Sequence, residues 1–166
     1  MGSVDVLLIT KPVAPPWNDG TLNLTRCLIQ GANGDFHFRV PVPRGAPSLG
    51  IPHVTEEGIY PEAGAHGTTT RNNIAMLLRL LKPARAKAIH FLFAPSARTG
   101  GILRAMLAPR RLPTIHTLCS RPLSFDDVQS VLFADHHIAL SRFTEGKLRD
   151  AGVPSVARGD PGAFEP

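Results

Sequence analysis

The stretch PTIHTLCSRP, residues 113–122, sets His116 inside a short apolar run and follows it with Ser120, Arg121 and Pro122. An imidazole near the end of a strand has three ordinary fates. It is a hydrogen-bonded core residue, a metal ligand, or a donor to charge developing on a phosphate or hydroxyl. The metal fate has the least support. The seven histidines are scattered, the adjacent pair His136–His137 has poor geometry for chelation, and Cys27 and Cys119 make no zinc spacing. No metal site is expected. A second group, Trp17-Asn18-Asp19-Gly20, lies in a loop that opens a helical segment. A helix N-terminus offers free N–H groups to phosphate oxygens, and glycine lets backbone approach them closely. Gly20 is either that residue or a plain turn glycine. Asn18 and Asp19 contact a ligand or cap the helix, and capping suits Asp19 better. Ser141 and Arg142 open another helical segment. Ser141 touches ligand or caps, and Arg142 binds phosphate or faces water. His90 lies in mid-strand, where core packing is at least as good a reading.

Several common motifs are missing. No GxGxxG follows the first apolar run, and no GxxxxGK[ST] or GxSxG occurs anywhere. The dinucleotide, P-loop and nucleophile-elbow readings therefore have no support, and no cofactor is expected.

Charge is unevenly placed. The net charge is +5, yet no Asp or Glu lies between Glu62 and Asp126, an interval with ten basic residues, and the outer segments carry all thirteen acids. A one-signed middle favours an anionic partner: a phosphorylated substrate, an anionic membrane or nucleic acid. The alternative is an ordinary solvated basic surface. Few aromatics interleave with the basic residues, so no nucleic-acid partner is expected. No window is apolar enough to span a bilayer, and no signal-peptide pattern opens the chain. Two cysteines read as core thiols in a reducing compartment, which places the protein in the cytoplasm.

The elements that must position these residues follow from periodicity. VDVLLI (4–9), FHFRV (36–40), a segment near 51–59, AIHFLF (88–93), TIHTLC (114–119), HIAL (137–140) and VPSVA (153–157) read as strands. Between them, TLNLTRCLIQ has helical spacing with Leu24, Cys27 and Leu28 on one face, and stops at Gly31. TTTRNNIAMLLRLLK carries a stripe of Ile74, Leu77, Leu78 and Leu81 behind threonine caps. SARTGGILRAMLA is a helix weakened by Gly100 and Gly101. SFDDVQSVLFA shows capping-box spacing at Ser124 and Asp127, and SRFTEGKLRDAG ends at Gly152. Residues 41–67 read as Pro- and Gly-rich loops around one short strand. The alternation predicts one α/β domain: a Rossmann-like, mainly parallel sheet with helices on both faces.

Taken in order, PPWNDGTLNLTRCL, AIHFLFAP, PTIHTLCSRP, Ala134-Asp135, Ser141, Ala151-Gly152-Val153-Pro154 and Pro161-Gly162 through Phe164 and Pro166 resemble the N-terminal half of the family 4 retaining glycosyltransferases, which have the GT-B fold. The likeness covers nearly the whole chain. The chain departs from the family at Lys87, where an aspartate is usual, at a single Gly20 in place of a glycine pair, and at Asp160-Pro161-Gly162-Ala163 in the linker. The resemblance implies that 1–157 form an acceptor-side Rossmann-like domain and that 158–166 begin an interdomain linker or tail. It implies a hexosyltransferase that moves a sugar from a nucleotide-sugar donor to an acceptor hydroxyl, on a sugar or lipid-linked acceptor, with no obligatory metal.

The family's second domain binds the nucleotide through paired glutamates. The chain alone is therefore expected to be half of an enzyme, inactive without a C-terminal glycosyltransferase domain in cis or in trans. The resemblance also implies that His116 faces the donor sugar and its leaving diphosphate, with Gly20 on the donor phosphate. Trp17, Asn18, Asp19, His90, Ser141 and Arg142 are the candidates on the acceptor side. Trp17 and Phe93 could form an aromatic platform for a sugar, although burial explains Phe93 as well. Weak peripheral contact with the inner membrane face is a further expectation. The alternative is a non-catalytic α/β binding module for an anionic partner.

Overall fold

The computed structural model describes residues 3–17, 19–32, 34–61, 69–82, 85–94 and 96–159. Seven strands form one sheet in the order β3-β2-β1-β4-β5-β6-β7: β1 (Val4–Ile9), β2 (Phe36–Pro43), β3 (Val54–Tyr60), β4 (Ala88–Phe93), β5 (Thr114–Leu118), β6 (His136–Ala139) and β7 (Val156–Arg158). Helices α1 (Gly20–Gly31), α2 (Thr70–Leu81), α3 (Ala97–Leu107), α4 (Val128–Val131) and α5 (Arg142–Asp150) are interleaved with them. The sheet is parallel throughout and the fold is Rossmann-like α/β. Its order is the doubly wound one, extended by a seventh strand. The chain divides into two compact units, Met1–Ile89 and His90–Pro166.

In the first unit, β1 pairs with β2 from Val4 opposite Phe36 to Leu7 opposite Arg39, and β2 pairs with β3. Leu8, Ile9, Val40 and Ile29 are fully buried. Strand β2 runs to Pro43, through Pro41 and Pro43, where the sequence reads as loop. Pairing with β1 stops at Arg39, so the later residues need donors on one side only, and the register slips between Val42 and Pro43.

Helix α1 buries Leu22, Thr25 and Ile29, not the predicted face of Leu24, Cys27 and Leu28. Thr25 tolerates burial because its hydroxyl donates to the Thr21 carbonyl at 2.8 Å and meets the Thr10 hydroxyl at 3.3 Å. The Tyr60 hydroxyl donates to the Thr10 carbonyl, and burial pushes the Tyr60 pKa up.

In the second unit, Leu118, Val128, Leu132, Ala139, Leu148 and Val153 form the apolar core, with Phe125 and Val131 packed against it. Helix α4 is only four residues long, and the expected capping box does not form. The Ser124 hydroxyl instead turns back on Asp126, donating to its carboxylate at 3.0 Å and accepting from its N–H at 3.1 Å. The short helix passes α3 closely. A Cβ on Gly100 would lie 2.7 Å from the Val131 carbonyl oxygen, so Gly100 marks a backbone approach and not merely a weak helix position. Helix α5 ends in a Schellman-type turn at Gly152, φ +73°, with the Val153 N–H reaching the Leu148 carbonyl at 3.0 Å.

Candidate functional site

The site is built where β5 and β6 end. These strands run parallel, with His116 opposite His137 and Leu118 opposite Ala139. Their starts are pinned by Asp135, whose carboxylate accepts from both the N–H and the hydroxyl of Thr114 at 2.8 Å. The Asp135 N–H returns a bond to the same hydroxyl at 2.9 Å. A motif residue of the Ala134-Asp135 pair thus sets the register of two strands. Their carboxyl ends deliver Cys119-Ser120-Arg121 and Leu140-Ser141 to one place.

There, with the first turn of α5, they enclose a pocket of about 250 Å³ lined by Leu118, Cys119, Ser120, Arg121, Leu140, Ser141, Phe143 and Thr144. Ser141 has extended backbone and caps α5. Its hydroxyl accepts from the Thr144 N–H at 3.1 Å and donates to the Thr144 hydroxyl at 3.0 Å. The N–H groups of Arg142 and Phe143 have no partner inside the helix, as the first turn of any helix requires. Arg121 and Arg142 are exposed. Phe143 is 56% exposed and meets Phe125 edge-on at 6.1 Å. The pocket thus combines an apolar floor, hydroxyl groups, one aromatic edge and positive charge. A small polar ligand carrying an anionic group matches that lining.

Behind the strand ends lies an aromatic core that holds the histidines. His116 is 0% exposed. Its ring sits 4.9 Å from Phe93, 4.7 Å from Phe133 and 6.3 Å from His137. Burial pushes its pKa down to about 4, although the bond to the Phe93 carbonyl pulls the other way. The ring is therefore neutral at pH 7. Its single proton sits on Nε2, which donates to that carbonyl at 3.1 Å. Nδ1 is left as a buried lone pair with no partner. In this arrangement His116 has no proton to offer a leaving group.

His90 is likewise buried, with a pKa lowered by burial to about 4, and its Nε2 meets the Thr117 hydroxyl at 2.8 Å. Burial also lowers the pKa of His137. Neither of its ring nitrogens has a hydrogen-bond partner: the Ser155 carbonyl, which pulls the pKa back up, lies outside bonding geometry.

The residues expected at α1 form a separate group in the first unit. Asp19 is the helix cap, accepting from the N–H groups of Thr21 at 2.9 Å and Leu22 at 3.3 Å, and pairing with Lys11 at 2.7 Å. Burial alone would raise its pKa, but the Lys11 ammonium and the two N–H groups outweigh burial and lower it. The Trp17 ring is covered by the Arg26 guanidinium at 5.2 Å, and the Trp17 carbonyl accepts from the Asn23 amide at 3.1 Å. A Cβ on Gly20 would meet nothing within 4 Å, so packing does not demand glycine there. Asn18 lies outside the described residues, as do Asp160–Pro166 of the segment expected to be a linker or tail.

Of the residues predicted for a site, Ser141 lines the pocket, Arg142 begins the helix beside it, and His90 and His116 lie in the core of the same unit. Arg121, Cys119, Phe143 and Thr144 also line it; sequence reasoning gave none of them a place in a site and read Cys119 as a core thiol, whereas it is half-buried at the pocket wall. The usable signal was the run Cys119-Ser120-Arg121 directly after an apolar strand, because ligands in parallel α/β sheets bind at strand carboxyl ends. Among the described residues no three His, Cys, Asp or Glu side chains come together as a metal would need, and no helix is long and apolar enough to cross a membrane. No protein-family model matches the sequence, and no curated protein matches it; the likeness to family 4 glycosyltransferases rests on its own motifs.

Proposed function

We propose that this chain is the acceptor-side domain of a glycosyltransferase that uses a nucleotide-sugar donor. The observation that carries the reading is the pocket at the carboxyl ends of β5 and β6, lined by Ser141 and Arg121. The order of the glycosyltransferase-like motifs supports it. In such a transfer the bond between the anomeric carbon and the donor phosphate breaks, and the acceptor oxygen forms the new bond. The acceptor proton leaves toward the departing diphosphate.

This chain's part is to orient the acceptor and to offer positive charge to phosphate. Ser141 and Thr144 supply hydroxyls, Phe143 an apolar edge for a sugar face, and Arg121 the charge. His116, neutral and buried, is a positioning residue that fills the core behind β5. Donor binding falls to a second domain with the paired glutamates, in cis or in trans. The reading places the protein in the cytoplasm, with an acceptor that is either a free sugar or carried on lipid.

Two measurements test it. The chain alone, incubated with a panel of nucleotide sugars and sugar acceptors, forms no product. Sugar acceptors shift the amide resonances of Arg121, Ser141 and Phe143, and Arg121→Ala weakens that binding about tenfold, the usual worth of a charge-assisted hydrogen bond. Turnover by the chain alone, or acceptor shifts confined to other residues, defeats the reading. Binding of inorganic pyrophosphate without any sugar acceptor favours a non-catalytic module for an anionic partner.

A further inference from the structure

The pocket at the ends of β5 and β6 is one-sided in its hydrogen-bonding capacity. Its lining holds no carboxylate, carboxamide or imidazole, and Arg121 is its one charged side chain. Arg121 is exposed, and among the described residues no ion pair or hydrogen bond engages its guanidinium. Acids on the flanking segments are engaged elsewhere. The Glu145 carboxylate pairs with Arg149 at 2.8 Å, and that of Asp126 accepts from the Ser124 hydroxyl at 3.0 Å.

The hydroxyls tilt the same way. Ser141 uses both its roles on Thr144, accepting the N–H at 3.1 Å and donating to the hydroxyl at 3.0 Å. Thr144, 6% exposed at the pocket wall, therefore keeps its own hydroxyl proton to donate. Ser120, exposed beside Arg121, brings a second hydroxyl. A neutral sugar matches such a wall poorly, because each of its hydroxyls donates as well as accepts. Its protons would be buried without acceptors, which is unfavourable. A phosphate monoester is chiefly an acceptor: at pH 7 it carries a charge of about −1.5 to −2 and three strong acceptor oxygens. A carboxylate has two oxygens for the guanidinium fork, and a phosphate has a third for a hydroxyl.

We propose that the acceptor bound here is a sugar phosphate, its phosphate monoester held by Arg121 together with the hydroxyls of Ser120 and Thr144. The inference rests on the glycosyltransferase reading and narrows its acceptor. A pocket of about 250 Å³ is smaller than the ~300–1,000 Å³ of sites that enclose a whole drug-sized ligand. It holds the charged end, and the sugar ring leaves it past Phe143, which is 56% exposed at the wall. The phosphates of a nucleotide-sugar donor share this chemistry, so the test has to separate the two sources.

Titration of the full chain, followed by amide resonances, uses four soluble probes: hexose phosphates, the same hexoses without phosphate, inorganic phosphate and a nucleoside diphosphate. The hexose phosphates bind at least about tenfold more tightly than the hexoses or inorganic phosphate, and shift Ser120, Arg121 and Thr144. Arg121→Ala abolishes the preference for the phosphorylated sugar, and Arg121→Lys keeps part of it, because an ammonium keeps the charge but loses the fork. Arg111→Ala, at an exposed basic residue before the amino end of β5, leaves the preference unchanged. That control separates a contact in the pocket from the general field of the basic middle. Should Arg121→Ala misfold, Ser120→Ala must weaken hexose phosphate binding in a folded chain. Hexoses that bind these residues as tightly as their phosphates overturn the proposal and leave the glycosyltransferase reading standing. A nucleoside diphosphate that binds more tightly than the hexose phosphates gives the pocket to the donor and also overturns it. Inorganic phosphate that binds as tightly as the hexose phosphates, or no binding of any probe at these residues, overturns both.

Discussion

The two units bury polar side chains by opposite means. In the first, Glu57 is paired: the Arg79 guanidinium bonds it, holding the carboxyl below its usual range, and Arg39 stands 3.7 Å away. The Arg79 pKa is raised by the same pair. The charges stay charged because each compensates the other. In the second, burial is the largest influence on His90, His116 and His137 and lowers all three pKa values, the Asp135 carboxylate pulling that of His137 back only in part. A carboxylate and a guanidinium share a site only as an ion pair, whereas an imidazole can enter an aromatic core by giving up its proton. The first solution fixes α2 on β3. Neither satisfies every buried nitrogen: the first leaves Arg39 Nε and Arg79 Nη1 without partners, the second Nδ1 of His116 and both ring nitrogens of His137.

Acid separates the two solutions most sharply. A histidine whose folded pKa is lowered contributes stability in full above its unfolded pKa near 6.5, and loses it as pH falls through about 4. For His90 and His116 that window is pH 6.5 to 4, worth up to ~3 kcal/mol each, since one pKa unit is about 1.4 kcal/mol. Glu57 also has a lowered pKa, but its contribution is lost only below the ordinary glutamate value of 4.5. Urea unfolding at stepped pH should therefore show stability falling steeply between pH 6.5 and 4. A flat profile there would remove the neutral-histidine half of the comparison.

Breaking the ion pair is the next largest effect. Glu57→Gln leaves Arg79, 12% exposed at its side chain, without its counter-charge. We expect a loss of about 2 kcal/mol at pH 7, because the desolvated guanidinium remains. Replacing both partners, with Glu57→Gln and Arg79→Leu, should recover part of that loss. If the double variant is no better than the single one, the cost lies in packing and not in charge.

Gly100→Ala is a control on the second unit that leaves every titrating group in place. Its Cβ would strike the Val131 carbonyl, so Tm should drop by the equivalent of about 1–2 kcal/mol with the pH profile unchanged. A steeper or shallower acid transition in this variant would tie the histidines to the α3–α4 contact. The smallest expected effect is at the caps. Ser141→Ala and Asp19→Ala each remove a side-chain acceptor from a helix start and should cost about 1 kcal/mol. The Asp19 variant should lose its share as pH falls through the carboxylate range, because Asp19 also pairs with Lys11. The Ser141 variant should not change with pH.

Strand and helix positions were legible because they depend on local rules. VDVLLI and AIHFLF are apolar runs of strand length and coincide with β1 and β4. Asp19, the threonines before α2 and Ser141 are capping types expected at helix starts, and Asp19, Thr69 and Ser141 each accept a backbone N–H; Ser96 does the same at α3 although the sequence reading gave it no role. The buried face of α1 was not legible, because Thr25 is polar by type and enters the core only through bonds to Thr21 and Thr10. The outward row on α2, with Ile74 51%, Leu78 55% and Leu81 63% exposed, was not legible either. Periodicity reveals that Ile74, Leu78 and Leu81 share a face, but not which way that face turns.

The sequence alone thus determined the alternation of elements, the parallel α/β class and the acid-free middle, all properties of residue type and spacing along the chain. Only the tertiary structure decided that Arg79 would face inward against Glu57, that Cys119-Ser120-Arg121 and Ser141 would meet around one pocket, and that His116 would lie in an aromatic core with its one proton committed to Phe93. The reason is physical. Each of these outcomes depends on a partner 20 or more residues away, and a side chain's protonation, direction and burial are set by what packs against it, which spacing along one segment does not contain.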